Sequence, residues 1–258
     1  MIDFRKPKLS LIAITALEVR KIMDTLAATL LVLLCTVTTG QASDKTTIEA
    51  IESSADVSLH TDPASSFWSA ARSVYLEKDK QGTPIPRFRS EVRARWTKNN
   101  LYFLFICPYD ELHVKTTRVV TRETNELWNW DVAEVFIGSD FHDVKHYREF
   151  EVSPQGEWVD LDIDLNKPHH EDGWTWNSGF VVTARIDATN HRWYAAMRIP
   201  LSAIASRSPA DGIEFRVNLF VSEGSPANHH VVTWQPPMSD TFHVPERFGL
   251  LRLASGKP

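Results

Sequence analysis

Short apolar segments with strand character follow one another from residue 92 to residue 253, and turn-forming residues separate them. Val92–Trp96 alternates apolar and charged residues, which is typical of a strand with one buried face. Leu101–Cys107 is continuously apolar, which is typical of a strand buried on both faces. Eight further segments carry strand signals: Val132–Ile137, Tyr147–Val152, Trp158–Leu165, Phe180–Ile186, Trp193–Ile199, Glu214–Ser222, His230–Trp234 and Gly249–Leu253. Together they predict an all-β fold, an antiparallel β-sandwich or jelly roll of about ten strands.

Helical periodicity is confined to two short stretches, Pro200–Ala205 and residues 111–120. Residues 67–253 contain no internal repeat, low-complexity tract or linker, so they are predicted to form one domain. Residues 43–66 are polar and weakly patterned, and we interpret them as a flexible leader into that domain.

Residues 1–42 have the pattern of a secretory signal peptide. A basic pair at positions 20–21 precedes the apolar run Leu26–Val37, and small residues lead to a predicted cleavage site after Ala42. The run is shorter than the roughly 20 apolar residues of a membrane-spanning helix, although an uncleaved anchor is the alternative. Translation starts at Met1 or Met23, because the segment between them adds nothing to the signal. A secreted or periplasmic mature protein is therefore expected.

The mature chain is mildly acidic. Cleavage removes five basic and three acidic residues from a chain of net charge −5, which leaves −7. This balance is unlike the basic surfaces that bind nucleic acid, so no nucleic-acid partner is expected. Cys107 is the only remaining cysteine, which excludes an intramolecular disulfide, and its apolar setting predicts a buried thiol. We expect a monomer whose hydrophobic core carries the stability.

Two neighbouring predicted strands carry the candidate functional residues. The segment LWNWDVAEVFIG places two indole rings before a strand that contains Glu134. The next strand sets Tyr147, Glu149 and Glu151 on one face, because side chains alternate between faces. Flat aromatic surface beside charged hydrogen-bonding groups suits a ligand with apolar faces and hydroxylated edges. A sugar ring has this character, so we hypothesise carbohydrate binding without catalysis.

The tryptophans divide into two groups. Trp96 and Trp193 lie in apolar alternation and are predicted to pack in the core. Four others lie among polar residues in predicted loops: Trp128, Trp130, Trp174 and Trp176. Large rings are less easily buried there, so these four are candidates for ligand contact, with core packing as the alternative.

Carboxylates along one strand are candidates for a hard-cation site. Asp160, Asp162 and Asp164 share a strand face, and Ca²⁺ takes six to eight oxygen ligands. A solvated face is the alternative. Other acids near strand ends are equally suitable ligands: Asp110, Asp131, Asp140 and Asp143. The metal-ligating residues therefore stay unassigned. The sequence contains no phosphate loop, nucleophile elbow, dinucleotide fingerprint or helical zinc motif.

Five sequence blocks, in order, resemble the family 9 carbohydrate-binding modules and their exported relatives. They are FWSAARSV with VRARWTKNNLYFLFICPYDE, WNWDVAEVFIG, YREFEVSPQGEW, WYAAMRIPLSAI and VTWQPPMSDTFHVPERFGLLRL, and they span roughly residues 60–253. The resemblance implies a β-sandwich that binds a glucan or xylan chain end between two aromatic side chains, with charged groups bonding the hydroxyls. It also implies structural Ca²⁺, whose ligands we do not assign.

The resemblance extends to single residues. Trp128 matches the first aromatic side chain, and Phe242 matches the second, which is tryptophan in the best-known module. Glu134 matches a hydroxyl-binding glutamate, and Glu151 stands where that module has an arginine. A smaller ring and the exchange of a donor for an acceptor predict a changed sugar preference. The full candidate set is Trp128, Trp130, Glu134, Tyr147, Glu149, Glu151, Phe242 and His243.

Three alternatives stay open. A haem-binding or redox sandwich would draw its iron ligands from Met197, Met238 and His243. A glycoside hydrolase would use a pair of the candidate glutamates about 5–9.5 Å apart. An accessory or surface-assembly domain would bind a protein and keep a vestigial sugar site. For the leading hypothesis, the expected partners are a glucan- or xylan-type oligo- or polysaccharide and a glycoside hydrolase, acting together in polysaccharide breakdown.

Overall fold

Twelve strands and two short α-helices form the regular structure of residues 47–256, the part of the chain that the computed structural model describes. The strands are β1 Thr47–Glu52, β2 Ser73–Leu76, β3 Ser90–Trp96, β4 Asn100–Pro108, β5 Val132–Gly138, β6 His146–Val152, β7 Trp158–Asp164, β8 Val181–Asp187, β9 Arg192–Pro200, β10 Glu214–Glu223, β11 His230–Thr233 and β12 Gly249–Ala254. The α-helices are α1 Ser66–Ser69 and α2 Leu201–Ile204. Four 3-10 helices are Pro86–Phe88, Leu127–Asn129, His170–Thr175 and Pro245–Arg247.

The all-β prediction is confirmed, and all ten predicted strands are present to within two residues at each end. The helix predicted at Pro200–Ala205 is α2, whereas the stretch 111–120 contains no helix. The predicted signal peptide, residues 1–42, lies outside the described residues. The leader interpretation is wrong from residue 47 onward, because Thr47–Glu52 is a strand inside the sheet.

The strands form one continuous hydrogen-bonded sheet in the order β7-β6-β5-β10-β12-β1-β3-β4-β9-β8, with β11 on β10 and β2 on β3. Most neighbours are antiparallel, as expected. β1 is the exception, because it runs parallel to both β12 and β3. The guanidinium of Arg95 on β3 secures β1 by donating from Nε to the carbonyl of Ile51 and from Nη2 to that of Glu52, both at 2.8 Å.

One large apolar core contains residues from strands along the whole sheet. Phe105 from β4, Val135 from β5 and Leu251 from β12 belong to this single cluster, and each is fully buried. Trp193 and Cys107 are also fully buried there, and Trp96 is 4% exposed, so the predictions for these three residues are confirmed.

A second apolar cluster lies on the opposite face of β5, β6, β7 and β10. Its buried members include Phe136, Tyr147, Leu161 and Phe220. Trp128 and Phe242 from the surrounding loops pack against it, as do three other residues, Leu165, Trp174 and Phe248. These four strands therefore carry apolar residues on both faces, and the loops around this outer face leave a cleft. Within residues 47–256 no helix has the length and apolar character to cross a membrane.

Candidate functional site

A cleft of about 510 Å³ lies over the outer face of β5, β6, β7 and β10. Its floor consists of strand residues: Glu134, Phe136, Glu149, Leu161, Ile163 and Ser222. Its rim consists of loop residues: Glu126, Trp128, His170, Glu171, His229, Asp240, Thr241, Phe242 and His243. The volume is typical of small-molecule sites, which range from about 300 to 1,000 Å³.

The alternation of side chains along each strand explains why acidic and apolar side chains both line the floor. In β5, Val135 points into the large core, whereas Glu134 and Phe136 point outward into the cleft. In β6, Phe150 packs in the core, and Glu149 points outward. The antiparallel pairing of β5 with β6 places the acidic side chains close together, and the pairing of β10 with β5 brings Ser222 alongside them.

The 3-10 helix Leu127–Asn129 positions Trp128. Leu127 is fully buried and anchors this turn in the outer apolar cluster. Glu126, the residue directly before this turn, has a left-handed backbone (φ 59°), which changes the direction of the chain there. The backbone N–H of Trp130 then donates to the carbonyl of Leu127 at 3.0 Å and ends the turn. The indole of Trp128 is left half-buried on the cleft rim.

Asp131 secures the base of this loop. Its carboxylate is 1% exposed and accepts the backbone N–H of His113 at 2.7 Å and that of Gly224 at 2.8 Å. Burial, together with the nearby Glu223 carboxyl, raises the pKa of Asp131 to about 7, although the two N–H donors oppose this rise. Asp131 thus ties three chain segments together, a structural role beside the cleft.

The segment 240–243 forms another part of the rim. The ring of Phe242 stacks in parallel on Phe220, with 4.7 Å between centroids and 8° between planes. The imidazole of His243 stacks on Phe136 at 5.2 Å and meets His170 edge-on at 4.4 Å. Burial, together with the neighbouring His170, lowers the pKa of His243 to about 4, so its ring is neutral at neutral pH.

Three glutamates lie together beneath this opening. Glu134, Glu149 and Glu151 are 1%, 4% and 0% exposed, and one oxygen from each lies within 4.8 Å of the other two. The hydroxyl of Ser222 donates to Oε1 of Glu134 at 3.2 Å. Burial raises the pKa of Glu149 to about 7. Burial and repulsion between the carboxyls hold the pKa values of Glu134 and Glu151 well above their usual range.

The structure brings most of the candidate binding residues to one place. Five of them line the cleft: Trp128, Glu134, Glu149, Phe242 and His243. Tyr147 and Glu151 are 1% and 0% exposed and lie beneath the surface. Trp130 is the exception, because its ring stacks on His113 at 4.6 Å, outside the cleft lining.

Several cleft residues carried no sequence signal. His170 and Glu171 were not among the candidate residues, and the helix His170–Thr175 that carries them packs against β7. Ser222 reaches Glu134 only because β10 pairs with β5, 88 residues away along the chain. The nearest sequence signal to this part of the rim was Trp174, which lies in the same helix.

The three aspartates of β7, which the sequence suggested as a cation site, do not converge on one point. Asp160 is buried and accepts the backbone N–H of Ser178 at 2.7 Å. Asp162 is paired with Arg148, and Asp164 lies 3.0 Å from the Nε2 of His146. Each of the three carboxylates thus has its own protein partner.

The structure separates two of the three candidate haem ligands. Met197 is fully buried in the large core, whereas His243 packs on the other face of the sheet, against Phe136. These two residues cannot bind the same iron ion. The third candidate, Met238, is 54% exposed and lies in the loop that leads to His243.

The family assignment follows from this fold and from the sequence. Residues 63–256 match the family model described as carbohydrate family 9 binding domain-like. The chain belongs to this family, which confirms the resemblance drawn from the sequence.

Solved structures with the same fold are distant in sequence. A family 9 carbohydrate-binding module from Caldicellulosiruptor kristjanssonii in complex with cellotriose has a TM-score of 0.56 at 14% identity, over 81% of this chain and 94% of that one. A family 9 module from the same organism is also known in complex with glucose, with a TM-score of 0.55 at 13% identity over 80% of this chain and 96% of that one. A putative carbohydrate-binding protein from Bacteroides uniformis has a TM-score of 0.63 at 16% identity over 81% and 99%.

One curated relative also matches. It is described as an extracellular protein from Arthroderma benhamiae and is 24% identical over 136 residues, which is 48% of this chain. The match spans 61% of that relative's own length.

Proposed function

We propose that this chain is a non-catalytic carbohydrate-binding protein that holds a sugar ring between Trp128 and Phe242. The observation that carries the proposal is the placement of both rings, each half-buried, on the rim of one cleft whose floor presents Glu134 and Glu149. Aromatic rings cover the apolar faces of a pyranose, and carboxyl groups bond its hydroxyls. This combination is what a sugar ring requires.

The rings and the carboxyls have separate roles. Each aromatic contact contributes on the order of 1 kcal/mol and excludes water from one sugar face. The carboxyls select among hydroxyl patterns, because an ionised carboxylate only accepts hydrogen bonds whereas a protonated carboxyl also donates one. A preformed cleft of this kind supports affinities on the order of micromolar.

The related modules support a particular class of ligand. Related modules bind cellotriose and glucose, which supports a glucan- or xylan-type oligosaccharide as the ligand here. We further propose a monomeric β-sandwich that is secreted or periplasmic, carries structural Ca²⁺, and assists a glycoside hydrolase in polysaccharide breakdown. The signal-peptide pattern and the extracellular description of the fungal relative support export.

Calorimetric titration of residues 43–258 with glucose, cellotriose and xylotriose tests the proposal. We expect one sugar per chain, with a longer oligosaccharide bound at least as tightly as glucose. The same mixtures, analysed by chromatography after overnight incubation, are expected to contain uncleaved oligosaccharide. Cleavage would identify a glycoside hydrolase that uses Glu134 and Glu149. Absence of binding to every neutral sugar would contradict carbohydrate recognition.

A further inference from the structure

The buried carboxyl groups of Glu149 and Glu151 lack the partners that such groups normally have. Within the described residues 47–256, no nitrogen or alcohol group donates to either oxygen of Glu151 or to Oε2 of Glu149. Buried polar atoms are almost always hydrogen-bonded, so three such oxygens in one cluster point to a missing ligand. Two other buried glutamates, Glu157 and Glu223, each have one oxygen without a partner, but the other oxygen accepts a hydrogen bond from Ser153 or Trp193. Glu151 has no such donor on either oxygen.

Charge balance leads to the same conclusion. The pKa values of these three glutamates are shifted by burial, by the neighbouring carboxyl groups and by the hydroxyl of Ser222. No positively charged side chain of the described residues is among these causes. Three carboxylates without a counter-charge repel one another, and bringing them into the protein interior is costly unless they are neutralised. A cation placed among them would remove both penalties.

The spacing allows one cation to contact all three carboxyl groups. One oxygen from each glutamate lies within 4.8 Å of the other two, and two oxygens bound to one Ca²⁺ at about 2.4 Å can be at most about 4.8 Å apart. A site made of several carboxylates suits Ca²⁺, which accepts flexible geometry, whereas Mg²⁺ demands near-ideal octahedral geometry with shorter contacts of about 2.1 Å.

We propose that Glu134, Glu149 and Glu151 bind one divalent cation of the size of Ca²⁺ at the floor of the cleft. Glu151 is fully buried and closes the site from below, whereas Glu134 and Glu149 also face the cleft. Three glutamates provide three to six oxygens, and Ca²⁺ takes six to eight. Coordination positions on the cleft side thus remain for other oxygen atoms.

The open positions give the ion a role in ligand recognition. Sugar hydroxyls are hard oxygen ligands of the kind that Ca²⁺ prefers. On the basis of the proposed function, two neighbouring hydroxyls of a bound sugar would complete the coordination sphere. The ion would then be the positive group that contacts the hydroxyls.

The test separates ion binding from sugar binding. Protein dialysed against a chelator is titrated calorimetrically with CaCl₂ and with MgCl₂ in the absence of sugar. We expect one Ca²⁺ per chain with an affinity on the order of 1 mM or tighter, and weaker Mg²⁺ binding. Glu151→Gln should weaken Ca²⁺ binding at least about tenfold, because it removes a charged ligand. Trp128→Ala should leave Ca²⁺ binding unchanged, even though it removes a sugar contact.

Two controls keep the outcome interpretable. Glu223→Gln alters a fully buried glutamate outside the cluster, held by Trp193 and His230, and should not change Ca²⁺ binding. The thermal midpoint of the unaltered protein should rise with CaCl₂ and fall with chelator, a readout that needs no variant. Ca²⁺ stoichiometry and affinity that are both unchanged in Glu151→Gln, or no Ca²⁺ binding at all, would overturn the proposal. Binding of glucosamine in chelator, lost in Glu151→Gln, would assign the cluster to an ammonium group instead. Absence of sugar binding in a protein that binds Ca²⁺ as expected would contradict only the proposed function.

Discussion

The phenolic oxygen of Tyr147 lies 2.6 Å from Nδ1 of His243. Tyr147 is on β6, beneath the cleft, and His243 is on the loop that carries Phe242, so this hydrogen bond ties the rim to the floor. Because the pKa of His243 is about 4 and that of Tyr147 is raised by burial, both groups are neutral and share one hydrogen bond. This bond holds the Phe242 rim together with the stacking of Phe242 on Phe220 and of His243 on Phe136.

Tyr147→Phe removes that contact while keeping the aromatic packing. The lost hydrogen bond is expected to cost about 1 kcal/mol in the free energy of unfolding, since His243 is left without its partner. Sugar affinity should fall several-fold, because the rim loop is less well held. Calorimetry and thermal unfolding measure the two effects. Tyr75→Phe, at a 37% exposed position, is the matched control and should change neither. Unchanged affinity in Tyr147→Phe would show that the loop is held by other contacts.

His243 also predicts a pH dependence of stability. Its pKa is lowered from 6.5 to about 4 in the folded protein, mainly by burial and then by His170, with Glu171 opposing. Between these two values the unfolded chain binds a proton that the folded protein does not. The contribution of His243 to the free energy of unfolding should therefore fall by roughly 2–3 kcal/mol as the pH is lowered from about 6.5 to about 4. Asp131 and Glu149, whose pKa values are raised to about 7, act in the opposite direction over this range. The prediction is therefore tested by difference: in chemical denaturation, the unaltered protein should lose stability relative to His243→Gln as the pH falls. A constant difference between the two proteins would contradict this assignment.

Trp128 and Trp130 lie two residues apart but in different environments. Trp128→Ala should weaken sugar binding at least about tenfold, because stacking on a single ring contributes on the order of 1–2 kcal/mol. Trp130→Ala should leave affinity within about twofold, since its ring packs on His113 outside the cleft. Both variants should unfold cooperatively by circular dichroism. Equal effects of the two substitutions would contradict the stacking model.

A substitution at Phe242 can test the stacking model by enlarging a ring instead of removing one. Phe242→Trp enlarges the ring that faces the ligand and restores the residue type of the best-known family member, so affinity should be preserved or increase by up to about tenfold. Phe242→Leu keeps an apolar side chain without a planar face and should weaken binding. Calorimetry with a single oligosaccharide compares the two variants directly. A weaker Phe242→Trp would show that stacking on Phe220 leaves no room for an indole.

Gly173 allows the helix His170–Thr175 to approach β7. A Cβ atom there would lie 2.2 Å from the carbonyl oxygen of Asp162, a contact that the backbone cannot accept. Gly173→Ala should therefore displace the helix, lower the thermal midpoint and weaken sugar binding through His170 and Glu171. Gly212→Ala is the comparison, since its Cβ meets nothing within 4 Å and only its backbone strain, about 1 kcal/mol, applies. Unchanged affinity in Gly173→Ala would show that this rim is dispensable.

Local pattern was sufficient to predict most strands, but not their arrangement. Alternation correctly placed Glu149 and Glu151 on one face of β6, yet Glu149 borders the cleft while Glu151 lies beneath it. That difference depends on strand pairing, which joins residues far apart in the chain. The strand Thr47–Glu52 was missed for a related reason, since its burial comes from β12 and β3 rather than from its own weakly patterned sequence.

The location of β1 has a consequence for biogenesis. The first described strand is held between β3 and the last strand, so its neighbour β12 leaves the ribosome some 200 residues later. The pairing of β1 with β12 therefore cannot form before β12 has been synthesised, so the sheet closes around β1 late in translation.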